Sequence, residues 1–331
     1  MSMQDTYKNK NVLITGGLGF IGSNLARQLV GLGAHVTIID SLVWAYGGNR
    51  FNICGIEDKL DLRIGDIRDR YTMDELIQGK DYLFNLAGQV SHIDSMKDPF
   101  TDLEINTTSQ LSILESCRKN NPDIKIVYAS SRQIYGKPEY LPVDEKHLVH
   151  PTDVNGINIM AGEWYHILYN NVYGIRACSF RMTNVYGPRQ LMKHNRQGFI
   201  AWFIRLAIED KKIQIYGDGL QKRDLNYVDD VCDALLLAGA SKKSDGQIYN
   251  LGSREVVSLK DLTENLIEVA GCGSYKLVPW PDEKKKIDIG DYYGDFSKIR
   301  QELGWQPKVS LRDGLEKTVA YYKKYLDKYL V

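Results

Sequence analysis

The chain lacks an excess of either charge. Its 331 residues carry 42 Lys and Arg against 42 Asp and Glu, so the formal net charge is zero. That excludes a general polyanion binder, because affinity for nucleic acid comes mostly from neutralising phosphates. The one short basic run, DEKKKID at 282–288, reads as a solvated loop. Cysteine is scarce and scattered: five residues, at 54, 117, 178, 232 and 272, with no CxxC pair. This excludes a disulfide framework and any close-spaced thiolate metal site, and it reads as free thiols in a reducing compartment. No apolar run approaches the ~18 residues of a membrane span. The opening MSMQDTYKNK has no apolar signal core, so the expectation is a cytoplasmic protein with neither nucleic acid nor membrane as partner. There is also no low-complexity linker and no internal repeat, which predicts one rigid body with a cleft.

What is present is a rhythm. NVLITG (11–16), HVTIID (35–40), LDLRIGD (60–66), YLFNLAG (82–88), KIVYASS (125–131) and RACSFRM (176–182) read as β-branched strands. Amphipathic helical segments such as 101–119 and 156–171 lie between some of them. Buried strands alternating with crossover helices predict an α/β fold with a Rossmann-type, doubly wound parallel sheet. After about residue 183 the elements become shorter and more mixed: a loop NVYGPRQLMKHNRQG, the apolar helix FIAWFIRLAIED, the strand QIYNLG, and helices after Ser258 and Ser310. The expected division is a dinucleotide-binding domain of residues 1–183 with parts of 225–255, and a smaller C-terminal lobe of 184–224 and 256–331.

TGGLGFIG (15–22) follows the first strand and opens a helix. Glycines at 16, 19 and 22 permit a tight turn and a close approach of backbone to a pyrophosphate, for which the helix N-terminus supplies amide donors. Asp40 ends the second strand about twenty residues on, where a carboxylate accepts hydrogen bonds from both adenosine ribose hydroxyls and repels a 2′-phosphate. The predicted cofactor is therefore NAD. GDIRD at 65–69 ends the third strand, and Asp66 and Ile67 are placed to hold the adenine. The predicted contact set is Gly16, Gly19, Phe20, Ile21, Gly22, Asp40, Asp66 and Ile67, with Leu86, Ala87 and Gly88 at the end of the fourth strand.

TGGLGFIG, GDIRD, NLAGQVSHIDSMKDP, YASSRQIYG, RMTNVYGPRQ and GDGLQKRDLNYVDDV occur in this order over roughly residues 9–325. Together they resemble the extended short-chain dehydrogenase/reductase family, the NAD-dependent nucleotide-sugar epimerases and dehydratases. LAGQVSHIDSMKDP and YGPRQ…QGFIAWFIRLAIED are most similar to CDP-tyvelose 2-epimerase and its relatives. The resemblance implies hydride transfer from a sugar carbon and return of the keto sugar to a new product. It also implies a tyrosine that takes the hydroxyl proton, a lysine that tunes it, and a Ser or Thr on the same sugar oxygen.

Ser131 matches the Ser/Thr position, but the other two residues are gone. Aligning NGINIMAGE with the family's Y-G-x-S-K-x-x-G-E puts Asn155 at the tyrosine and Ile159 at the lysine, with Gly156, Gly162 and Glu163 holding the register. Asn cannot act as a general base, and Ile has no charge with which to tune one. Arg132 and Gln133 stand where dehydratases of the family carry two acids, which argues against dehydration. His92, on the loop after the fourth strand, is the candidate acid/base, and Tyr135 and Tyr186 occupy positions that are usually structural. The catalytic candidates are thus Ser131, Asn155 and His92, and no metal is expected. On the nucleotide side the resemblance points to Asn184 and Arg223 at the diphosphate and Gln214 near the base. A further expected phosphate-binding Arg is replaced by Asp288, for which Arg189 or Lys284–Lys286 would compensate. The reading is a nucleotide-sugar epimerase or oxidoreductase, paired as a homodimer through the helices at 101–119 and 156–171. The alternative is a cofactor-bound pseudoenzyme serving as a scaffold.

Overall fold

The computed structural model describes residues 2–282, 285 and 288–330. Among the described residues twelve strands form three sheets: β1 (Asn11–Thr15), β2 (His35–Asp40), β3 (Leu60–Ile64), β4 (Tyr82–Asn85), β5 (Lys125–Ser131), β6 (Arg176–Met182), β7 (Asn184–Tyr186), β8 (Lys212–Tyr216), β9 (Lys222–Tyr227), β10 (Ile248–Asn250), β11 (Val256–Ser258) and β12 (Ser274–Val278). Seven of them make one sheet in the order β10-β6-β5-β4-β1-β2-β3, every pair parallel. This is the doubly wound sheet that the strand pattern predicts.

Both faces of the sheet are buried, and strand alternation divides the side chains between two cores. Val12, Ile14, Phe84, Val127, Cys178 and Phe180 belong to the larger cluster. Leu13, Leu83, Ile126 and Ala177 belong to the one on the opposite face. Runs that are apolar at every position, rather than at every second one, are what a sheet covered on both sides requires.

The chain winds outward from β1 through β2 to β3, then returns to place β4 on the other side of β1. At that reversal β1 and β4 stay paired to their last residues, Thr15 and Asn85, while the connections that follow them leave in opposite directions, and a crevice opens where this class of sheet binds its ligands. Beyond it stand the two small sheets, β11-β9-β7 and the parallel pair β12-β8, backed by helices Ile200–Ile208, Leu259–Ala270 and Leu311–Tyr325.

The amphipathic stretch at 101–119 is not one regular helix. It runs as Pro99–Leu103, a π-helical turn over Glu104–Thr108, and Ser109–Asn120. The stretch at 156–171 is extended at both ends into a helix over Val154–Tyr173. Asp153 caps its start by accepting from the Gly156 amide, and Gly174 ends it in the left-handed conformation. The buried Glu163–Arg181 ion pair, 2.7 Å long, locks this helix to β6. Among the described residues no helix is long and apolar enough to cross a membrane.

Candidate active site

The glycine turn works through the backbone. Gly16 has φ of +70°, and a Cβ there would lie 2.9 Å from the Ala87 Cα. At Gly22 a Cβ would come within 2.3 Å of the Gly16 carbonyl oxygen, so only glycine lets helix Phe20–Gly31 sit this close to β1. Thr15 at the end of β1 fixes the facing loop: its hydroxyl donates to Asn85 Oδ1 at 2.8 Å and accepts from the Leu86 and Ala87 amides, each at 3.0 Å. A cavity of about 290 Å³ follows, lined by all eleven predicted cofactor residues, from Gly16 through Asp66 and Ile67 to Gly88. Asp40 accepts from the Leu18 amide at 2.9 Å and the Leu42 amide at 2.8 Å, which fixes its carboxylate in the cavity wall. Burial pushes this carboxyl above its ordinary range. Asp66 is clamped by the Arg68 guanidinium, which holds it below the usual carboxylate range. Gln190, Leu191, His194 and Gln197, on the connection between β7 and helix Ile200–Ile208, complete the cavity lining. Nothing in the sequence pattern pointed to them.

At the end of β5, Ser131 caps a short turn, its hydroxyl accepting from the Gln133 amide at 3.2 Å. That turn packs on the start of helix Val154–Tyr173: a Cβ at Gly156 would lie 3.2 Å from the Gln133 carbonyl oxygen. Here the Asn155 expectation needs correction. Asn155 is fully buried, and its amide nitrogen is spent on the Gln89 carbonyl at 2.7 Å and Asp102 Oδ2 at 2.9 Å. Asn158 donates to the other Asp102 oxygen at 2.7 Å. The residue thus fastens the loop after β4 to the helix and leaves only a buried, unpartnered Oδ1. It does not present an amide to a sugar hydroxyl. Ile159 is buried in a small apolar cluster that includes Ile134, Tyr135 and Tyr292.

His92 occupies a different setting. Its Nδ1 meets the carboxylate of Asp153, whose other oxygen caps the same helix through the Gly156 amide at 2.8 Å. The imidazole is 38 % exposed while Asp153 is 2 % exposed, so the carboxylate is fixed and the ring's far edge faces solvent. Burial works to raise the Asp153 carboxyl. The imidazole, the Gly156 amide and Arg132 together outweigh it and hold the group below its ordinary value. An ionised Asp153 accepts from Nδ1–H and leaves Nε2 as the ring nitrogen able to take a proton. Asp153 was missed in the sequence; its only signal was that of a helix cap.

The remaining polar candidates are structural. Tyr135 donates to Asn250 Oδ1 at 2.7 Å and accepts from Arg181, and burial pushes it up to about 12. Tyr186 donates to the Leu311 carbonyl. His166 is fully buried, stacked on Tyr128, with Nδ1 donating to the Gly162 carbonyl at 2.7 Å and Nε2 facing the Asn85 amide at 3.3 Å.

On the nucleotide side a second cavity of about 460 Å³ is walled by Phe199, Trp202, Tyr216 and Trp280, with Gln214, Arg223 and Asp288 among its polar groups. Arg223 does not pair with Asp224, which instead bonds Thr183 and the Gly294 amide. Its Nη1 donates to the Lys222 and Gly290 carbonyls, and burial followed by the nearby Arg132 presses its pKa down to about 10. Asn184 stands outside this lining, donating to the Asp224 carbonyl at 3.2 Å. Arg189 is also displaced from its expected place. It donates to Asn24 Oδ1 at 2.7 Å and stacks over Tyr321, away from both cavities, so it does not compensate for Asp288. Asp288 accepts both of its bonds from the Gln221 amide. Lys284 and Lys286 lie outside the described residues.

A glycine turn at the reversal of a doubly wound sheet, with an acidic ribose acceptor at the end of β2, defines a dinucleotide-binding oxidoreductase-type fold. Residues 12–252 match the model of the NAD dependent epimerase/dehydratase family, and the chain belongs to that family. A putative UDP-glucose 4-epimerase of Methanocaldococcus jannaschii is 36 % identical over 94 % of this chain and 98 % of its own length. CDP-paratose 2-epimerase of Salmonella typhi is 28 % identical over 92 % of this chain and 97 % of its own. The solved UDP-glucose 4-epimerase of Thermotoga maritima, with UDP-glucose, superposes with a TM-score of 0.86 at 32 % identity, covering 96 % of this chain and 99 % of that one. NAD is the cofactor of the family, and the eleven-residue cradle fits it.

Proposed function

We propose that this protein is an NAD-dependent nucleotide-sugar epimerase or oxidoreductase in which the His92–Asp153 pair replaces the missing tyrosine and lysine. One observation carries the reading: an imidazole oriented by a buried carboxylate, at the start of the helix where the tyrosine would stand. When bound, NAD supplies a hydride acceptor and donor. Gly16, Gly19 and Gly22 hold its pyrophosphate, Asp40 its ribose, and Asp66 and Ile67 its adenine. Arg223 and the aromatic wall of the second cavity take the sugar nucleotide, with Gln214 at the base. Ser131 donates to the reacting sugar oxygen, and His92 Nε2 takes its proton while Asp153 stabilises the imidazolium that forms. A positioned acid/base of this kind contributes typically ~10²–10⁴-fold to a rate. Asn155 holds the loop that carries His92.

The pairing of two copies is part of the same reading. Ile157, Trp164, Leu168 and Val172 form an apolar stripe along helix Val154–Tyr173, between 49 % and 59 % exposed, where a homodimer would bury it. The scaffold reading has one observation in its favour, the burial of Ile159 and of the Asn155 amide. The deciding experiment mixes the NAD-loaded protein with UDP-, CDP-, GDP- and dTDP-sugars, following the absorbance of reduced nicotinamide and the products by NMR. A new epimer or a net oxidised sugar from one donor is expected. Tight binding of both ligands with no product across the panel would establish the scaffold instead.

A further inference from the structure

We propose that Arg132 recognises a carboxylate carried by the sugar itself, so that the substrate belongs to the acidic nucleotide sugars. This inference rests on the nucleotide-sugar reading above and narrows it.

Arg132 follows Ser131 directly, at the C-terminal end of β5. Its guanidinium lies over the ring of Tyr292, 4.9 Å from the centroid, and the side chain is only partly exposed. No hydrogen bond or ion pair holds its five N–H donors among the described residues. Four carboxylates lie near Arg132 or its neighbour Arg223, yet each is bonded elsewhere. Asp153 serves His92 and the Gly156 amide, Asp224 serves Thr183 and the Gly294 amide, Asp288 serves Gln221, and Asp291 serves the Lys222 amide. Arg223, close enough to feel the charge of Arg132, bonds only neutral groups. The region between the His92–Asp153 pair and the second cavity therefore holds two guanidinium groups with no ion pair between protein side chains.

The Arg132 nitrogens are unpartnered among the described residues yet not sealed from solvent, so a ligand can reach them, and a fold that holds a guanidinium in one orientation without a protein partner leaves its charge for that ligand. Stacking on Tyr292 covers one flat face and sets the orientation without using any N–H, which leaves the planar fork free for two parallel bonds to a carboxylate. Position decides which anion. Arg223 lines the nucleotide cavity, whereas Arg132 does not and is instead adjacent in sequence to Ser131. The anion it meets is therefore near the reacting carbon and not at the far end of the nucleotide.

The test compares a matched pair, UDP-glucuronate and UDP-glucose, with UDP alone as reference, binding to the NAD-loaded protein by calorimetry. The same comparison is made with GDP-mannuronate, GDP-mannose and GDP. The wild type is expected to favour the acidic sugar of a pair by about 10- to 100-fold, the range of one charge-assisted bidentate contact. Arg132→Gln should erase that preference while leaving NAD affinity and the affinity for the neutral sugar within about twofold; Arg132→Lys should restore only part of it. Equal affinity for acidic and neutral sugars in the wild type would overturn the inference. So would an Arg132→Gln loss shared by both sugars and the bare nucleotide, which would assign the residue to the diphosphate. If neither nucleotides nor nucleotide sugars bind, the nucleotide-sugar reading fails and takes this inference with it.

Discussion

Two helix starts that follow strands of the same parallel sheet, one after β1 and one after β5, are built on different principles. The turn at Gly16–Gly22 is made of backbone: what matters there is the absence of three Cβ atoms and the presence of amides at a helix start. The turn leading into Val154–Tyr173 is made of side chains. Asp153 caps the helix and holds His92, Asn155 ties down the loop after β4, and Ile159 fills an apolar cluster. The first kind of site has few solutions, because a Cβ at Gly16, Gly19 or Gly22 would meet backbone atoms. The second can exchange its chemistry while its frame, Gly156, Gly162 and Glu163, stays in place. At Gly162 a Cβ would fall 2.6 Å from the Tyr128 hydroxyl, and Glu163 is paired with Arg181, so the helix keeps its register whatever stands at 155 and 159.

The sharpest way to break the comparison is at the backbone turn. Gly22→Val puts carbon where the Gly16 carbonyl oxygen already lies, 2.3 Å from the Cβ position. The expected result is loss of NAD binding in calorimetry and a fall in unfolding free energy of about 3 kcal/mol or more, since neither backbone segment can yield.

A smaller effect joins the two turns. Thr15 bonds Asn85, and Asn85 faces His166 on the second helix. Burial lowers the His166 pKa from 6.5 to about 4. The unfolded chain therefore binds a proton that the folded one refuses between those values, and stability falls as pH drops from 6.5 toward 4. The loss is on the order of 3 kcal/mol at most. It should appear in denaturant titrations across that window and be reduced in His166→Gln, while NAD affinity at neutral pH stays unchanged in the wild type.

This contrast also explains what was legible in the sequence. Strands β1 to β6, the parallel character of their sheet and the eleven residues that line the first cavity follow from local patterns, because each is set by residues within a few positions of one another. The chemistry of the second turn was half legible. His92 stood out as an ionisable side chain on the right loop, but its partner Asp153 is 61 residues away and carried only the signature of a helix cap. Asn155 is a catalytic candidate by its aligned position alone, because sequence shows its identity and not that Asp102 claims its amide. Arg189 and Asn184 sit beside the expected site in the chain, yet a left-handed backbone at Arg189, φ of +74°, turns it toward Asn24. The aromatic wall of Trp202, Tyr216 and Trp280 comes from a helix, a strand and the loop after β12, and no spacing rule could have assembled it.

The central claim is that proton transfer has moved from the lost tyrosine to His92. Once a nucleotide sugar is turned over, the most direct measurement is the rate of His92→Ala with and without added imidazole, at saturating NAD and sugar nucleotide. The account predicts a ~10²–10⁴-fold fall in kcat. It also predicts unchanged NAD affinity and a recovery that rises with imidazole concentration. A variant that keeps the wild-type kcat, or one whose loss imidazole does not touch while Ser131→Ala abolishes turnover, would contradict it.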